Sequence, residues 1–549
     1  MRSLLFAPVI LAMAAHPVSA QLPDSQRVAI NRVFAPWTST TGPGCAVGVS
    51  RNDNVVFENG YGMANLEHDV PIMPTTIFHV ASVSKQFTAA AVMLLVEDGK
   101  LSLDDDIRKY VPEVPAYAKT ITIRHLLQHT SGLRDQWDLL IMARGRFEED
   151  RITEADVLEI VSRQKALNFE PGTEYLYSNT GFTLAGTIVR RVSGKSLREF
   201  ADDRIFRPLG MTRTHFHDDY TMIVKNRAAG YARRANGWRV SLPNYDTYGA
   251  TSLFTTVADL LKWTANFDRA TVGSQATLRE LQQSGVLLNG DTTAYGLGIG
   301  MGLHRGARVV SHGGSDAGYR TYLGRFPEHG VAIAVLCNAS TANPSALAMQ
   351  VADVVLRDRL SFTEAPLSPP VTLPAVRLAR YAGVYAHPVT GAPLFITLRR
   401  DTLVAGRVNG PVLVPLAEGR FRVTGQPVEL TFNANGFTQT VHTWPPRKPL
   451  TFARQTPAKA EAGKLREYAG TYYSEELGAT YVVTATDSTL SLKTRMGEPV
   501  TVRPAYGEVF EGGFLLRFVR DAGGKVTGFL AGTGRVRNVR FQRSSATMP

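Results

Sequence analysis

The sequence predicts an α+β unit followed by two antiparallel β-barrel domains, and three observations carry that reading. Strand-like segments at residues 44–62 and 307–337 bracket a long, largely helical stretch. Pro366, Pro369, Pro370 and Pro374 then crowd one short segment, a texture that reads as a linker. Beyond it lie short β-like runs that contain a repeat: Leu378-Ala-Arg-Tyr381-Ala-Gly-Val-Tyr385 returns as Leu465-Arg-Glu-Tyr468-Ala-Gly-Thr-Tyr472. A recurring signature of this kind marks one structural unit built twice. The competing reading is chance similarity inside a single larger β domain.

The N-terminus comes first. Arg2, an apolar stretch from Leu4 to Ala15 and a small-residue site at Val18-Ser-Ala20 have the form of a cleavable export signal covering 1–20. The apolar run is shorter than the roughly 20 residues needed to cross a bilayer, and no later segment is long and apolar enough to do so. A periplasmic or secreted protein is therefore expected. The chain has 549 residues, 44% of them hydrophobic and 20% charged, which leaves room for several packed cores. Its net charge is +12, but Lys and Arg are scattered and no nucleic-acid motif is present. A solvated basic surface is expected, with no nucleic-acid partner.

In the α+β unit, placed at 21–362, residues 44–62 alternate apolar and polar around Asn52-Asp53-Asn54, as a β-hairpin does. From Ser82 to Asp98, Val83, Phe87, Ala90, Ala91, Leu94 and Leu95 fall on one helical face, with Gly99 as the stop. A largely helical region then runs from Asp104 to about Trp263. Strands return at 307–312, 319–326 and 331–337, so distant segments must complete one sheet. The two cysteines, Cys45 and Cys337, sit at strand-like segments. If these strands are antiparallel neighbours the thiols can pair, and two buried free thiols fit equally well; a Cα separation above about 7 Å would exclude the bond. The linker is placed at 363–376, the first barrel at 377–455 and the second at 464–549.

Three short segments carry the chemistry. Ser82-Val-Ser-Lys85 places Ser82 at a helix start, where free N–H groups favour developing negative charge. Lys85 lies one turn on and can reach the Ser82 hydroxyl. A buried Lys loses its proton readily enough to act as base for a serine nucleophile. Ser84 is a rival nucleophile, but its partner at that spacing is Phe87. In Tyr177-Ser-Asn179, a phenol close to the Lys can serve as base and then acid, and the amide can face both Lys85 and a substrate. His312-Gly313-Gly314-Ser315 ends a strand, and its glycines let a substrate backbone approach an exposed edge. The N–H groups of Ser82 and Ser315 then form the expected oxyanion hole. Each segment alone fits a structural role: a helix cap with an exposed Lys, a packed Tyr with a capping Asn, a surface histidine.

Together they resemble the penicillin-recognising serine hydrolases, whose pattern is Ser-x-x-Lys, Tyr-x-Asn and Lys-Thr-Gly or His-x-Gly. Leu126-Leu-Gln-His-Thr-Ser-Gly-Leu133 and 249–260 also match; there His129 and Asp259 are read as structural. The resemblance implies a β-lactamase/DD-peptidase-like catalytic domain with lipocalin-like barrels behind it. It implies Ser82, Lys85, Tyr177 and His312 as catalytic, and Asn179, Gly313 and Gly314 as substrate-binding. His312 stands where β-lactamases carry Lys, and a neutral imidazole is a weaker clamp for a carboxylate. The tandem barrels resemble the layout of D-aminopeptidases, in which a barrel loop enters the cleft, as do Ser131-Gly-Leu-Arg-Asp135 and Ser474-Glu-Glu-Leu477. No cofactor or metal is implied. The expected function is acyl transfer on small peptides or amides with D-residues. An esterase, or a D-Ala-D-Ala carboxypeptidase or β-lactamase, is the alternative, and a non-catalytic penicillin-binding or ligand-carrying protein is the third reading.

Overall fold

The computed structural model describes residues 21–145, 150–357, 359–360, 369–442, 448–494 and 498–544. The export signal expected at 1–20 lies outside them, as does part of the linker.

The α+β unit is built on a six-stranded antiparallel sheet in the order Gly300–His304, Ala307–Asp316, Tyr319–Phe326, Val331–Cys337, Cys45–Arg51, Asn54–Tyr61. The early hairpin and the late strands thus close one sheet, as expected; Gly300–His304 was not anticipated. The hairpin turns through Asn52 and Asp53 at φ +48° and +62°, the left-handed region that Asn and Asp tolerate best among side-chain-bearing residues.

Alternation covers both faces. Cys45, Val47 and Val49, with Ile333 and Val335, meet helices Asp24–Val33 and Pro344–Val355. Ala46, Ala332, Ala334 and Leu336 face the opposite layer. Gly48 lies there too, and a Cβ on it would come within 3.0 Å of Val257 and 3.1 Å of Leu261. Small residues on that face let helix Val257–Arg269 sit close to the sheet. Cys45 and Cys337 are direct partners in the register. They form a disulfide with a Cα separation of 4.0 Å, so the free-thiol alternative is excluded.

Helix Ser84–Glu97 packs against helix Asn179–Ser193 in that opposite layer. A single apolar face was expected, yet every residue from Ser84 to Leu95 is buried. The helix is a core element enclosed on all sides. Residues 215–255 also depart from the expected helix. They form short strands: Tyr231–Arg234 and Gly237–Val240 pair as a local hairpin, whereas Leu253–Thr255 pairs with the distant Phe78–His79 and with His215–Phe216.

Beyond the linker, Gly383–Gln455 and Gly470–Arg543 each close into an eight-stranded antiparallel barrel with strands in sequence order. Two closed barrels rule out the single larger β domain. Each repeat opens with a short helix whose leucine, Leu378 or Leu465, is buried. In each, the second tyrosine bonds the carbonyl of the first: Tyr385 to Tyr381 at 2.8 Å and Tyr472 to Tyr468 at 2.7 Å. An arginine of the last strand, Arg454 or Arg543, then bonds the carbonyls of Ala382 or Ala469 and lies over the same tyrosine ring. Aromatic side chains fill both interiors, with Phe421, Phe437 and Phe452 in the first and Phe518, Phe529 and Phe541 in the second. The barrels are packed cores, which counts against ligand carriage.

Candidate active site

Ser82 lies on a 3-10 turn, Ala81–Val83, that leads into helix Ser84–Glu97. Ala81 precedes it at φ +49°, a conformation that costs a side-chain-bearing residue about 1–3 kcal/mol. Several contacts hold the turn. Val80 N–H donates to the Leu253 carbonyl at 2.9 Å, and Thr321 Oγ1 donates to the Val80 carbonyl at 2.8 Å. Ser84 Oγ bonds the Ala81 carbonyl and receives Leu253 N–H. The rival nucleophile is therefore a structural brace.

Lys85 is buried within reach of Ser82. Its Nζ is 3.1 Å from Ser82 Oγ, 2.9 Å from Asn179 Oδ1 and 2.6 Å from the Ala250 carbonyl. Burial pushes its ammonium down to about 7, partly opposed by Asp135. A neutral amine has two N–H donors and one lone pair. The amide oxygen and the carbonyl take the donors, which leaves the lone pair for the Ser82 hydroxyl.

Asn179 begins helix Asn179–Ser193 and is fixed from behind by Asp135, a residue with no role in the sequence reading. Asp135 Oδ2 accepts the Asn179 backbone N–H at 2.7 Å and its side-chain Nδ2 at 2.8 Å. That orientation turns Oδ1 towards Lys85. Tyr177 packs tilted against His129 with centroids 4.1 Å apart and hydrogen-bonds with Ser82. Burial raises its phenol above the ordinary value, which favours the protonated form of Tyr177 near neutrality. His129 accepts Ser178 N–H at 3.2 Å, and Asp259 accepts Arg213 N–H and the Thr214 hydroxyl. Both are placed as structural residues.

His312 is buried rather than a surface residue. Its Nε2 is 2.8 Å from the Tyr295 hydroxyl and its Nδ1 2.6 Å from the Gly313 carbonyl. Burial, then the nearby Lys85, push it down to about 3. It is a neutral ring with both nitrogens engaged by protein groups. Tyr295 was not anticipated. The two glycines also divide. A Cβ on Gly314 would lie 2.2 Å from Thr321 Oγ1 and 2.3 Å from the Val80 carbonyl. Gly314 therefore lets the Ser82 turn approach the strand closely. Gly313 is exposed and its nearest such contact is 3.7 Å. Pairing with Gly300–His304 ends at Gly300–Ser311, whereas pairing with Tyr319–Phe326 continues to Asp316. One edge of residues 312–316 is thus left without a strand partner among the described residues.

These segments meet in one cleft of about 760 Å³, lined by Ser82, Tyr177, Asn179, His312, Gly313, Gly314 and Ser315. The second barrel reaches it. The loop between strands Val526–Gly532 and Val539–Arg543 carries Arg535 to the cleft wall. Its guanidinium stands 4.9 Å from the Tyr177 ring centre and 3.9 Å from Asp135 Oδ2. Nothing in the turn-like sequence 532–538 marked it. Below the cleft, Arg134 and Glu476 form a buried ion pair at 2.7 Å, with side chains 1% and 7% exposed. The segments 131–135 and 474–477, noted separately in the sequence, are two sides of one interface.

The sequence profile described as Beta-lactamase matches residues 30–356, more than half of the chain. A D-aminopeptidase of Gluconobacter oxydans (strain 621H) is 26% identical over 530 residues, spanning 91% of this chain and 96% of that one. Penicillin-binding protein 4* of Bacillus subtilis (strain 168) is 27% identical over 405 residues, 69% of this chain and 87% of that one. Among solved structures, the octameric penicillin-binding protein homologue from Pyrococcus abyssi is similar with a TM-score of 0.56 and 25% identity. That match covers 78% of this chain and 99% of the other. The D-amino acid amidase of Ochrobactrum anthropi SV3 complexed with D-phenylalanine shares the fold at a TM-score of 0.51 and 22% identity, covering 61% of this chain and all of its own. The paired Ser82 and Lys85, set on a catalytic unit of matching extent, place this chain in the Beta-lactamase family of serine hydrolases.

Proposed function

We propose that the chain is an exported serine hydrolase that forms an acyl-enzyme through Ser82 and cleaves peptides or amides with D-residues. The observation that carries this reading is the set of contacts on Lys85 Nζ, two acceptors and the Ser82 hydroxyl. Neutral Lys85 takes the Ser82 proton as Oγ attacks the amide carbonyl. The backbone N–H groups of Ser82 and Ser315 receive the oxyanion. Tyr177 gives its phenolic proton to the leaving nitrogen and regains one from the Lys85 ammonium. Water then attacks the ester and returns the proton to Ser82 Oγ. The unpartnered edge at 312–316 supports binding of an extended substrate by strand addition. His312, Tyr295 and Asp135 act by positioning.

The D-residue preference draws support from the relatives named D-aminopeptidase. Export draws support from the N-terminal signal and from the disulfide, a bond that persists in oxidising compartments. Purified protein should turn over a D-amino-acid anilide, and Ser82→Ala should lower that turnover roughly 10³-fold or more. Intact-mass measurement after a quench should show one acyl group on the wild type. Brisk cleavage of an aryl ester or a cephalosporin with no anilide turnover would overturn the amide preference, and full activity in Ser82→Ala the nucleophile.

A further inference from the structure

We propose that Arg535 makes the cleft select substrates with a carboxylate near the scissile bond over substrates with a free ammonium there. The inference rests on the serine-hydrolase reading and names its substrate class. The loop holds Arg535 in place from its backbone. Its N–H donates to Asp138 Oδ2 at 3.2 Å, and its carbonyl accepts Asn168 Nδ2 at 2.9 Å. Arg537, two residues on, pairs with Glu174 at 3.0 Å. The side chain rests against Tyr177 and is 43% exposed.

The nearest carboxylate, Asp135, forms a long ion pair with this cation but takes no hydrogen bond from it. It stands beyond hydrogen-bond distance at 3.9 Å, and its Oδ2 already receives two Asn179 donors. The guanidinium keeps N–H groups for the cleft. A second cation on the wall, Arg320, is anchored by the carbonyls of Ala317 and Tyr319 at 3.0 and 2.6 Å.

An ammonium finds little in return. The acidic group on the wall, Asp316, bonds His79 and Thr251 through one oxygen and Tyr245 through the other, at 3.0, 2.9 and 2.9 Å. His312 has no nitrogen to spare. A planar guanidinium held ready matches a carboxylate with two parallel hydrogen bonds, and preorganisation lowers the cost of forming them. The second barrel thus supplies the cation that the His312 segment lacks.

The test uses the full chain and substrates that differ only in charge. N-succinyl-, N-acetyl- and unblocked D-alanine para-nitroanilide place a carboxylate, no charge or an ammonium on the acyl side. On the leaving side, N-acetyl-D-alanyl-D-alanine and its C-terminal amide compare a carboxylate with no charge. The expected result is a preference in kcat/KM of roughly tenfold or more for the carboxylate in at least one series, weakening with salt. Arg535→Ala should remove that preference, Arg535→Glu reverse it, and Arg535→Lys retain part of it. A wild-type preference for the ammonium substrate would overturn the proposal. So would an equal loss on every substrate in Arg535→Ala, which would assign the loop to supporting Asp135. Should Arg535→Ala melt early, the wild-type panel and Arg535→Lys decide. No turnover of any substrate, or turnover untouched by Ser82→Ala, would instead sink the hydrolase reading beneath it.

Discussion

Lys85 and Tyr177 both lie beside Ser82, and burial moves them in opposite senses because it disfavours whichever form is charged. The amine is pushed down to about 7 and the phenol up. Near neutrality, then, the lysine is the group able to accept a proton and the tyrosine the group able to give one. The competent lysine is neutral, so kcat/KM should fall as pH drops below about 7, with no alkaline loss from Tyr177 ionising. A flat profile across that range would refute this division. Lys85→Arg keeps the charge but cannot lose its proton, and should cost roughly 10³-fold. Stability follows the same sign: the unfolded chain binds more protons at this site between about 7 and the ordinary lysine value, so the cost of burying Lys85 shrinks and stability rises as pH rises through that window. Tyr177→Phe should slow amide cleavage by roughly 10²-fold and ester cleavage less, since an alkoxide leaves without a proton. Paired rates on one acyl group would show it. The Ser82–Lys85 spacing was readable because one helical turn brings such residues together. Asp135 and Tyr295 were not, because their contacts span 44 and 17 residues.

At the level of elements, the sheet and the Ser82 turn are pressed together by Gly314. Gly314→Ala must displace Thr321 Oγ1 or the Val80 carbonyl. It should cost about 1–3 kcal/mol of stability as overpacking and lower kcat more than it raises KM. Gly313→Ala, whose Cβ would meet only the Thr321 carbonyl at 3.7 Å, an ordinary contact, should leave the melting temperature near wild type. Equal melts for the two variants would remove this role from Gly314. Four side-chain-bearing residues near the site, Ala81, His129, Ser252 and Ala317, hold positive φ, which places backbone strain around the cleft. The hairpin was readable from its alternation, the late strands from their apolar runs, and the barrels from Tyr381 and Tyr468 recurring with their neighbours. Leu253–Thr255 was not: three residues carry too little pattern, and its partners are Phe78–His79 and His215–Phe216. Arg454 and Arg543 close the two repeats in the same way, yet their spacing from the tyrosines differs between copies, which hid them.

On the scale of the whole molecule, the second barrel is continuous with the catalytic unit. One hydrophobic cluster runs from Leu139 and Leu140 to Tyr481 and Phe541, whereas the first barrel has a core of its own. Within that interface Glu476 Oε1 accepts Arg134 Nη1 at 2.7 Å and Lys165 N–H at 2.8 Å. Arg134 also donates to the carbonyls of Arg537 and Asn538 at 3.0 and 3.2 Å, and so grips the loop that carries Arg535. Its neighbour in sequence, Asp135, orients Asn179 against Lys85. The pair therefore links barrel docking to Lys85 through a few bonds. Removing one charge of a buried pair leaves the other uncompensated and costs about 3–5 kcal/mol. Glu476→Gln, which keeps shape and an acceptor for Lys165, should fall near the lower end of that range in denaturant unfolding. It should also raise hydrogen exchange at 131–138 and 533–538 together and lower kcat. Faster exchange at 533–538 alone, with kcat unchanged, would mean that the barrel holds its loop in the cleft without setting the Asn179–Lys85 contact. Unchanged stability would mean that the apolar contact around Tyr481, whose hydroxyl bonds the Met142 carbonyl at 2.7 Å, docks the barrel by itself.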